Sequence, residues 1–160
     1  MKRILIVCTG NICRSPMAAA LLQSHLREDE GRADWEVLSA GIWAPEGRPA
    51  SGYAIDEMEK RDLDITGHRS RRVSEELARS ADLILVMTKH HAEAIRQAFP
   101  RLADRVHLIS ETIDQEYDIC DPYGGTRMEY AYVAQELEEL VEAGYQRIVQ
   151  WVEEANDNQE

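Results

Sequence analysis

The chain has 160 residues, 44% hydrophobic and 30% charged, with a formal net charge of −12. This length suits one compact domain with one core over residues 1–160. The acidic balance argues against a nucleic-acid partner, because binding phosphate backbones needs clustered Lys and Arg. No apolar run is long enough to span a bilayer, so we expect no membrane association through a spanning segment.

The first residues have the look of a short signal peptide, because the basic segment Met1–Arg3 precedes an apolar stretch. That stretch stops at Thr9, before a full signal core is complete, and is better interpreted as a strand. We therefore expect a cytoplasmic protein. Three cysteines, Cys8, Cys13 and Cys120, give no disulfide framework, and without a histidine at ligand spacing they make a poor zinc site.

Strand and helix signals alternate along the chain. A β-branched run at residues 4–7 is typical of a buried parallel strand. Ser15 and Pro16 suit the N-cap and first position of a helix, and a second strand over 35–40 ends at Gly41. Later elements are helices over 51–61, from 74, over 89–99 and over about 128–154, strands over 83–87 and 106–109, and a long loop over 110–126.

This order predicts an α/β protein, a three-layer sandwich in which a four-stranded parallel sheet has helices on both faces. The segment from 128 to 160, which contains the last helix, has nine acidic residues and one base, Arg147, which indicates a solvated helix face. Its other face carries an apolar stripe at helical spacing, typical of core packing: Val133, Leu137, Leu140, Val141, Ile148, Trp151 and Val152. Ligands of such sheets bind beyond the carboxyl ends of the strands, which is where Cys8 lies.

The segment from Cys8 to Ser15 lies between a strand and a helix. Gly10 and Asn11 tolerate a positive φ, so the loop can curl and turn successive N–H groups inward around an anion. The helix start directs its positive end to the same place, and the guanidinium of Arg14 matches two phosphate oxygens. We expect this electropositive cup to hold Cys8 as a thiolate nucleophile, with Ser15 donating a hydrogen bond to the sulfur.

An inert buried cysteine is the alternative interpretation of Cys8, and for a lone cysteine it is the common one. The spacing Cys-x5-Arg between a strand and a helix is far more specific. Cleavage of a phosphoester also needs an acid for the leaving oxygen and a base for water. Asp121, on the long loop, is the best candidate, while the competing Asp118 has turn capping as its usual role. Tyr123 either stacks on a substrate ring or anchors the loop.

At these residues the sequence resembles the low-molecular-weight protein-tyrosine phosphatase family, over nearly the whole chain. The most specific matches are Val7–Pro16 and Asp121–Tyr123, with supporting matches at Ser39–Gly41, Gly67–Arg69, 81–85 and 87–88. The resemblance implies hydrolysis of phosphorylated proteins without metal or cofactor, through a phosphocysteine, and inhibition by inorganic phosphate and other oxyanions. It assigns catalysis to Cys8, Arg14 and Asp121, and substrate binding to Thr9, Gly10, Asn11, Ile12, Cys13, Ser15, Trp43 and Tyr123.

Two supporting roles rest on this resemblance alone. Asn11, Ser39 and His68 would form a hydrogen-bond network that holds the loop open. Cys13 would pair with Cys8 on oxidation and shield it from further oxidation. Taken without the family, His68 is a solvated loop histidine and Cys13 a packing residue.

The substrate is predicted to be phosphotyrosine, with phosphoarginine second. In the phosphoarginine branch of the family, the position of Ile12 usually holds Thr and that of Tyr123 often holds Phe. Ile12 instead gives an apolar wall suited to an aromatic ring, although the wider sequence resembles bacterial members close to the phosphoarginine branch. An arsenate reductase would need two further thiols, and Cys120 is the only one left. A binding module that recognised a phosphorylated partner or a free anion without turnover would need neither the thiol of Cys8 nor the acid Asp121, which argues against that alternative.

Overall fold

The computed structural model describes residues 1–158. Within them one parallel sheet, in the order β2-β1-β3-β4, is formed by β1 (Arg3–Cys8), β2 (Glu36–Gly41), β3 (Leu83–Val86) and β4 (Val106–Leu108). The helices of these residues are α1 (Arg14–Glu28), α2 (Gly52–Glu59), α3 (Glu75–Ser80), α4 (Lys89–Ala98) and α5 (Arg127–Asp157), with 3-10 helices at Pro100–Arg105 and Ile109–Ile113. The α/β class and the four parallel strands are confirmed.

The central strand β1 explains why the sheet is covered on both faces. Its side chains alternate, so that Ile4 and Ile6 pack with α1, α2 and α5, while Leu5 and Val7 pack with α3 and α4. All four side chains are fully buried. Burying an aliphatic side chain of this size stabilises a fold by about 1.5–3 kcal/mol. The run of consecutive apolar residues therefore reflects a strand with no solvent face, as a three-layer sandwich requires.

Helix α5 packs its apolar stripe against the sheet layer. All predicted stripe residues are buried except Trp151, which is half-buried and stacks on the His107 ring at 4.1 Å between centroids. The helix starts at a capping box in which Thr126 and Glu129 exchange hydrogen bonds with each other's backbone. Neither α5 nor any other helix of residues 1–158 has the length and apolar character that crossing a bilayer demands.

Two local predictions are wrong. Ser15 is not the N-cap of the first helix, because α1 begins at Arg14 and its N-cap residue, Cys13, makes no side-chain cap bond. The first N–H groups of α1 are thus left without a side-chain acceptor. The predicted loop over 110–126 is also not irregular throughout, because its first residues belong to the 3-10 helix at 109–113. The Ser110 hydroxyl in this helix donates to the Tyr117 carbonyl and accepts from the Tyr117 N–H.

Candidate active site

The loop after β1 surrounds the sulfur of Cys8 with hydrogen-bond donors. The backbone N–H of Asn11 donates to Cys8 Sγ at 3.3 Å, and Ser15 Oγ lies 3.0 Å from the same sulfur. The Asn11 side-chain amide donates to Ser15 Oγ at 2.8 Å, so the Ser15 hydroxyl hydrogen is free to donate to the sulfur. Donors of this kind, with the open N-terminus of α1 beside them, stabilise an anionic sulfur.

Asn11, not Gly10, carries the curl of the loop. Asn11 has φ 56°, in the left-handed region, whereas Gly10 is absent from the positive-φ residues of the described chain. Of the two residues that tolerate a positive φ, only Asn11 adopts one. Gly10 lines the cavity above the sulfur.

Hydrogen bonds fix Asn11 from beneath the loop. Its side-chain amide donates to Ser39 Oγ at 3.0 Å and accepts from the Arg71 N–H at 3.0 Å, while its backbone carbonyl accepts from His68 Nε2 at 2.6 Å. Asn11 is fully buried. Burial lowers the pKa of His68, which keeps its ring neutral with the proton on the nitrogen that donates. Ser39 and His68 thus both hydrogen-bond to Asn11, as in the network that the family resemblance implies.

Arg14 is buried under the loop with one donor left unpaired. Its Nη1 donates to the Ile119 carbonyl at 2.8 Å and its Nη2 to Thr9 Oγ1 at 3.3 Å. Its Nε is buried and has no partner among residues 1–158. Leaving a buried donor unpaired costs about 1–3 kcal/mol, and more on a charged group. A phosphoryl oxygen in the cup would supply the missing acceptor.

Asp121 and Asp118 occupy different environments. The Asp121 carboxylate is 45% exposed, lies 3.5 Å from Arg14 Nη2 and accepts from the Tyr123 N–H at 3.0 Å. Asp118 Oδ1 accepts at 2.8 Å from the N–H of Lys89, the first residue of α4. Of the two candidates only Asp121 faces the cup, because Asp118 is engaged in capping a helix.

A cavity of about 200 Å³ opens above Cys8. It is lined by Cys8, Thr9, Gly10, Ile12, Cys13, Arg14, Pro45, Arg48, Asp121 and Tyr123. Tyr123 is 68% exposed and stands at the mouth. Within residues 1–158, no cluster of three or more histidine, cysteine, aspartate or glutamate side chains is placed to hold a metal ion.

Some predicted substrate-binding residues do not line this cavity. Asn11 and Ser15 are fully buried behind the loop, where they act on Cys8. The Trp43 indole is 69% exposed and lies outside the lining, with the Arg72 guanidinium 5.1 Å from its ring. Conversely, Arg48 lines the cavity and was not predicted, because nothing in its loop sequence distinguishes it from any exposed arginine.

Cys13 lines the cavity and also belongs to a polar cluster with Ser51 and Tyr130. Its sulfur lies 3.2 Å from Tyr130 Oη and donates to Ser51 Oγ at 3.6 Å. Burial raises the pKa of the Cys13 thiol and raises the pKa of Tyr130 to about 12. Cys13 therefore rests as a neutral thiol, a form that is a poor nucleophile. Cys120, by contrast, is exposed.

A buried histidine adjoins the site without a sequence signal. His91, in the first turn of α4, is 2% exposed, and its Nε2 lies 2.8 Å from Thr9 Oγ1. Burial, and next the charge of Arg14, lower the pKa of His91 to about 4. His90 beside it is exposed, so the sequence offered no basis for choosing between the two.

Comparisons with known proteins agree on one group of relatives. The family model for low molecular weight phosphotyrosine protein phosphatases matches residues 3–154. The protein-arginine-phosphatase of Bacillus subtilis is 40% identical over 139 residues, 86% of this chain and 91% of that protein. The low molecular weight protein-tyrosine-phosphatase Wzb of Escherichia coli K12 is 39% identical over 137 residues, 86% of this chain and 88% of its own. The structure of the T. tengcongensis low molecular weight protein tyrosine phosphatase superposes with TM-score 0.85 at 38% identity, covering 92% of this chain and 99% of that one.

Proposed function

Because the chain belongs to the low molecular weight phosphotyrosine protein phosphatase family, we propose that it hydrolyses phosphotyrosine in phosphorylated proteins, with Cys8 as the nucleophile. One observation carries the proposal: one cavity is lined both by Cys8, whose sulfur has hydrogen-bond donors around it, and by Arg14, whose buried Nε–H has no partner among residues 1–158. An anion that bears several oxygens and has an electrophilic centre fits this combination.

The proposed first step transfers the phosphoryl group to sulfur. The Cys8 thiolate attacks phosphorus, the S–P bond forms and the P–O bond to the tyrosyl oxygen breaks. The carboxylic acid of Asp121 gives its proton to that leaving oxygen. Arg14 and the loop N–H groups hold the remaining phosphoryl oxygens, where negative charge is concentrated in the transition state.

The second step returns the enzyme to its starting state. The Asp121 carboxylate takes a proton from water, the water oxygen attacks phosphorus, and the S–P bond breaks to release phosphate. Ser15 Oγ, 3.0 Å from the sulfur, donates a hydrogen bond to the departing thiolate. Phosphate and similar oxyanions then compete with substrate for the same cup, and we propose them as inhibitors.

The walls of the cavity support phosphotyrosine as the substrate. Ile12 contributes an apolar wall, and Tyr123 at the mouth presents a ring on which a substrate ring can stack. Phosphoarginine is the second candidate, since a relative 40% identical to this chain bears the name protein-arginine-phosphatase. We propose a cytoplasmic location, where the three free thiols suit the reducing conditions.

Substitution of the two proposed catalytic groups tests the chemistry. Cys8→Ser is expected to abolish hydrolysis of p-nitrophenyl phosphate, because a serine hydroxyl is not ionised in this cup. Asp121→Asn is expected to lower kcat by about 10²–10⁴-fold while phosphate still inhibits. Cys120→Ser, which removes the exposed neighbouring thiol, is the control and should retain full activity. Full activity in Cys8→Ser would refute the proposal.

Matched phosphopeptides test the substrate. Steady-state kinetics on phosphotyrosine and phosphoarginine forms of one peptide should favour phosphotyrosine, and Ile12→Thr should shift the ratio of kcat/KM towards phosphoarginine. A wild-type preference for phosphoarginine would instead make the second candidate the function.

A further inference from the structure

A hydrogen-bonded chain runs from the interior of the protein to the phosphate-binding guanidinium. His91 Nε2 lies 2.8 Å from Thr9 Oγ1, and Arg14 Nη2 donates to the same hydroxyl oxygen at 3.3 Å. Thr9 therefore stands between a buried histidine and the arginine that faces the substrate. The mechanism above makes no use of His91, although this side chain is buried and polar.

The surroundings of the other ring nitrogen, Nδ1, indicate which nitrogen of His91 carries the proton. His91 Nδ1 is buried and has no partner among residues 1–158. If Nδ1 carried the ring proton, a buried N–H donor would be orphaned, which is costlier and rarer than an unpaired lone pair. The proton is therefore assigned to Nε2, which donates to Thr9 Oγ1. Thr9 then accepts from His91 and from Arg14 at the same time.

We propose that His91 is a positioning residue of the phosphate-binding cup, which fixes the Thr9 hydroxyl so that Thr9 holds one terminal nitrogen of Arg14. The Ile119 carbonyl holds the other terminal nitrogen. Both ends of the guanidinium are thus anchored before substrate binds, and Arg14 is held in the lining of the cup. The inference rests on the proposed phosphatase function and adds a group that acts on Arg14 without touching the substrate.

Preorganisation of Arg14 contributes most where the phosphoryl oxygens are most negative, which is the transition state. Loss of the anchor is therefore expected to lower kcat more than it raises KM. A histidine that only fills the core would leave kcat/KM of the folded protein unchanged and affect its stability alone. The two roles are separable by kinetics on folded variants.

Two polar replacements of His91 make the test selective. In His91→Gln the side-chain amide reaches the position of Nε2 and can donate to Thr9, whereas in His91→Asn it reaches only the position of Nδ1. We expect His91→Gln to stay within a factor of about two of wild type in kcat/KM for p-nitrophenyl phosphate. We expect His91→Asn and His91→Leu to lose about tenfold, the effect of one hydrogen bond to a charged group. His90→Asn, at the exposed neighbour on the same helix, is the control.

A double-mutant cycle checks that the effect passes through Thr9. In a Thr9→Val background, which removes the hydroxyl, His91→Asn should cause no further loss of kcat/KM. The proposal would be overturned if His91→Asn lowered kcat/KM equally in wild type and in Thr9→Val. It would also be overturned if His91→Asn and His91→Gln had the same kcat/KM. Urea unfolding of each variant restricts the comparison to folded protein, and if His91→Leu does not fold, the Asn and Gln pair carries the test.

Calorimetry with inorganic phosphate separates this inference from the function on which it rests. Wild-type protein that neither binds phosphate nor turns over any phosphoester would refute the phosphatase itself. Wild-type binding and turnover, with both unchanged in His91→Asn, would refute only the role of His91. The expected result is that His91→Asn loses more turnover than phosphate binding, and that His91→Gln restores both.

Discussion

At the scale of single residues, Asn11 links an unfavourable backbone conformation to the geometry around the nucleophile. Its φ of 56° costs a residue with a Cβ about 1–2 kcal/mol. The cost is offset by its buried hydrogen bonds to Ser15, Ser39, His68 and the N–H of Arg71. The same backbone turn directs the Asn11 N–H at the Cys8 sulfur, so the strain and the nucleophile's environment have one origin.

Asn11→Ala and Asn11→Gly are expected to separate these two contributions. Asn11→Ala should lower the free energy of unfolding by about 2–4 kcal/mol, since it removes buried hydrogen bonds and leaves the strain in place. Asn11→Gly removes the same side-chain hydrogen bonds without the strain and should be less destabilising by about 1 kcal/mol. Urea denaturation measures both, and equal values for the two variants would show that the left-handed backbone carries no cost.

At the scale of elements, the end of β2 is built to touch the loop that follows β1. A Cβ on Gly41 would clash with the Thr9 carbonyl oxygen and lie 3.1 Å from the Asn11 nitrogen, both of them backbone atoms of the loop. The Ile42 N–H donates to the Cys8 carbonyl at 3.0 Å, directly beside this contact. The glycine therefore lets one strand end support the other.

Gly41→Ala is expected to displace the loop and weaken binding to it. Overpacking of this kind costs about 1–3 kcal/mol of stability, and we expect phosphate inhibition to weaken in parallel, because the displaced N–H groups belong to the cup. Gly67→Ala is the matched control, since a Cβ there meets no atom within 4 Å and should leave both properties unchanged. Unweakened phosphate inhibition in Gly41→Ala would contradict the supporting role.

At the scale of the whole molecule, folding disfavours the protonated form of two histidines, the buried His91 and the half-buried His68. The pKa of His91 falls from 6.5 to about 4 on burial, and that of His68 is lowered for the same reason. Between these values the unfolded chain binds more protons than the folded one, so stability falls as the pH falls through that window. Both histidines act in the same direction.

Acidification is therefore expected to destabilise the protein well above the range in which carboxylates titrate. His91 alone should lower the free energy of unfolding by roughly 2 kcal/mol between about pH 7 and pH 5. Urea denaturation at the two pH values should show a smaller difference in His91→Gln than in wild type. His90→Gln, at the exposed neighbour, should keep the full difference in the free energy of unfolding between the two pH values. The same difference in His91→Gln as in wild type would show that His91 is not held neutral.

Apart from Asp121, which its chemistry and its place on a long loop indicated, sequence reasoning reached the parts of the site that lie within one continuous segment. The run from Cys8 to Arg14 carries its chemistry in its own order of residues, since a strand, a curled loop and a helix start need no distant partner to be identified. It failed on local detail where tertiary contacts compete. Ser15 has the chemistry of an N-cap but is engaged by Cys8 and Asn11, and Gly10 could adopt a positive φ that the loop does not need.

The sequence by itself determined the parallel α/β sheet and the nucleophile loop, because buried strands and phosphate-binding turns leave periodic and contiguous signals. Among the distant groups, the sequence indicated Asp121 from its chemistry and Ser39 and His68 through the family resemblance, whereas only the tertiary structure brought Arg48 and His91 to that loop. The order β2-β1-β3-β4 sets the carboxyl end of β1 between those of two neighbours. Arg48, from the loop after β2, therefore lines the cavity above Cys8, and His91, from the helix after β3, reaches Thr9. The positions of Arg48 and His91 in the sequence do not indicate that they lie near this loop, because their proximity follows from the pairing of the strands.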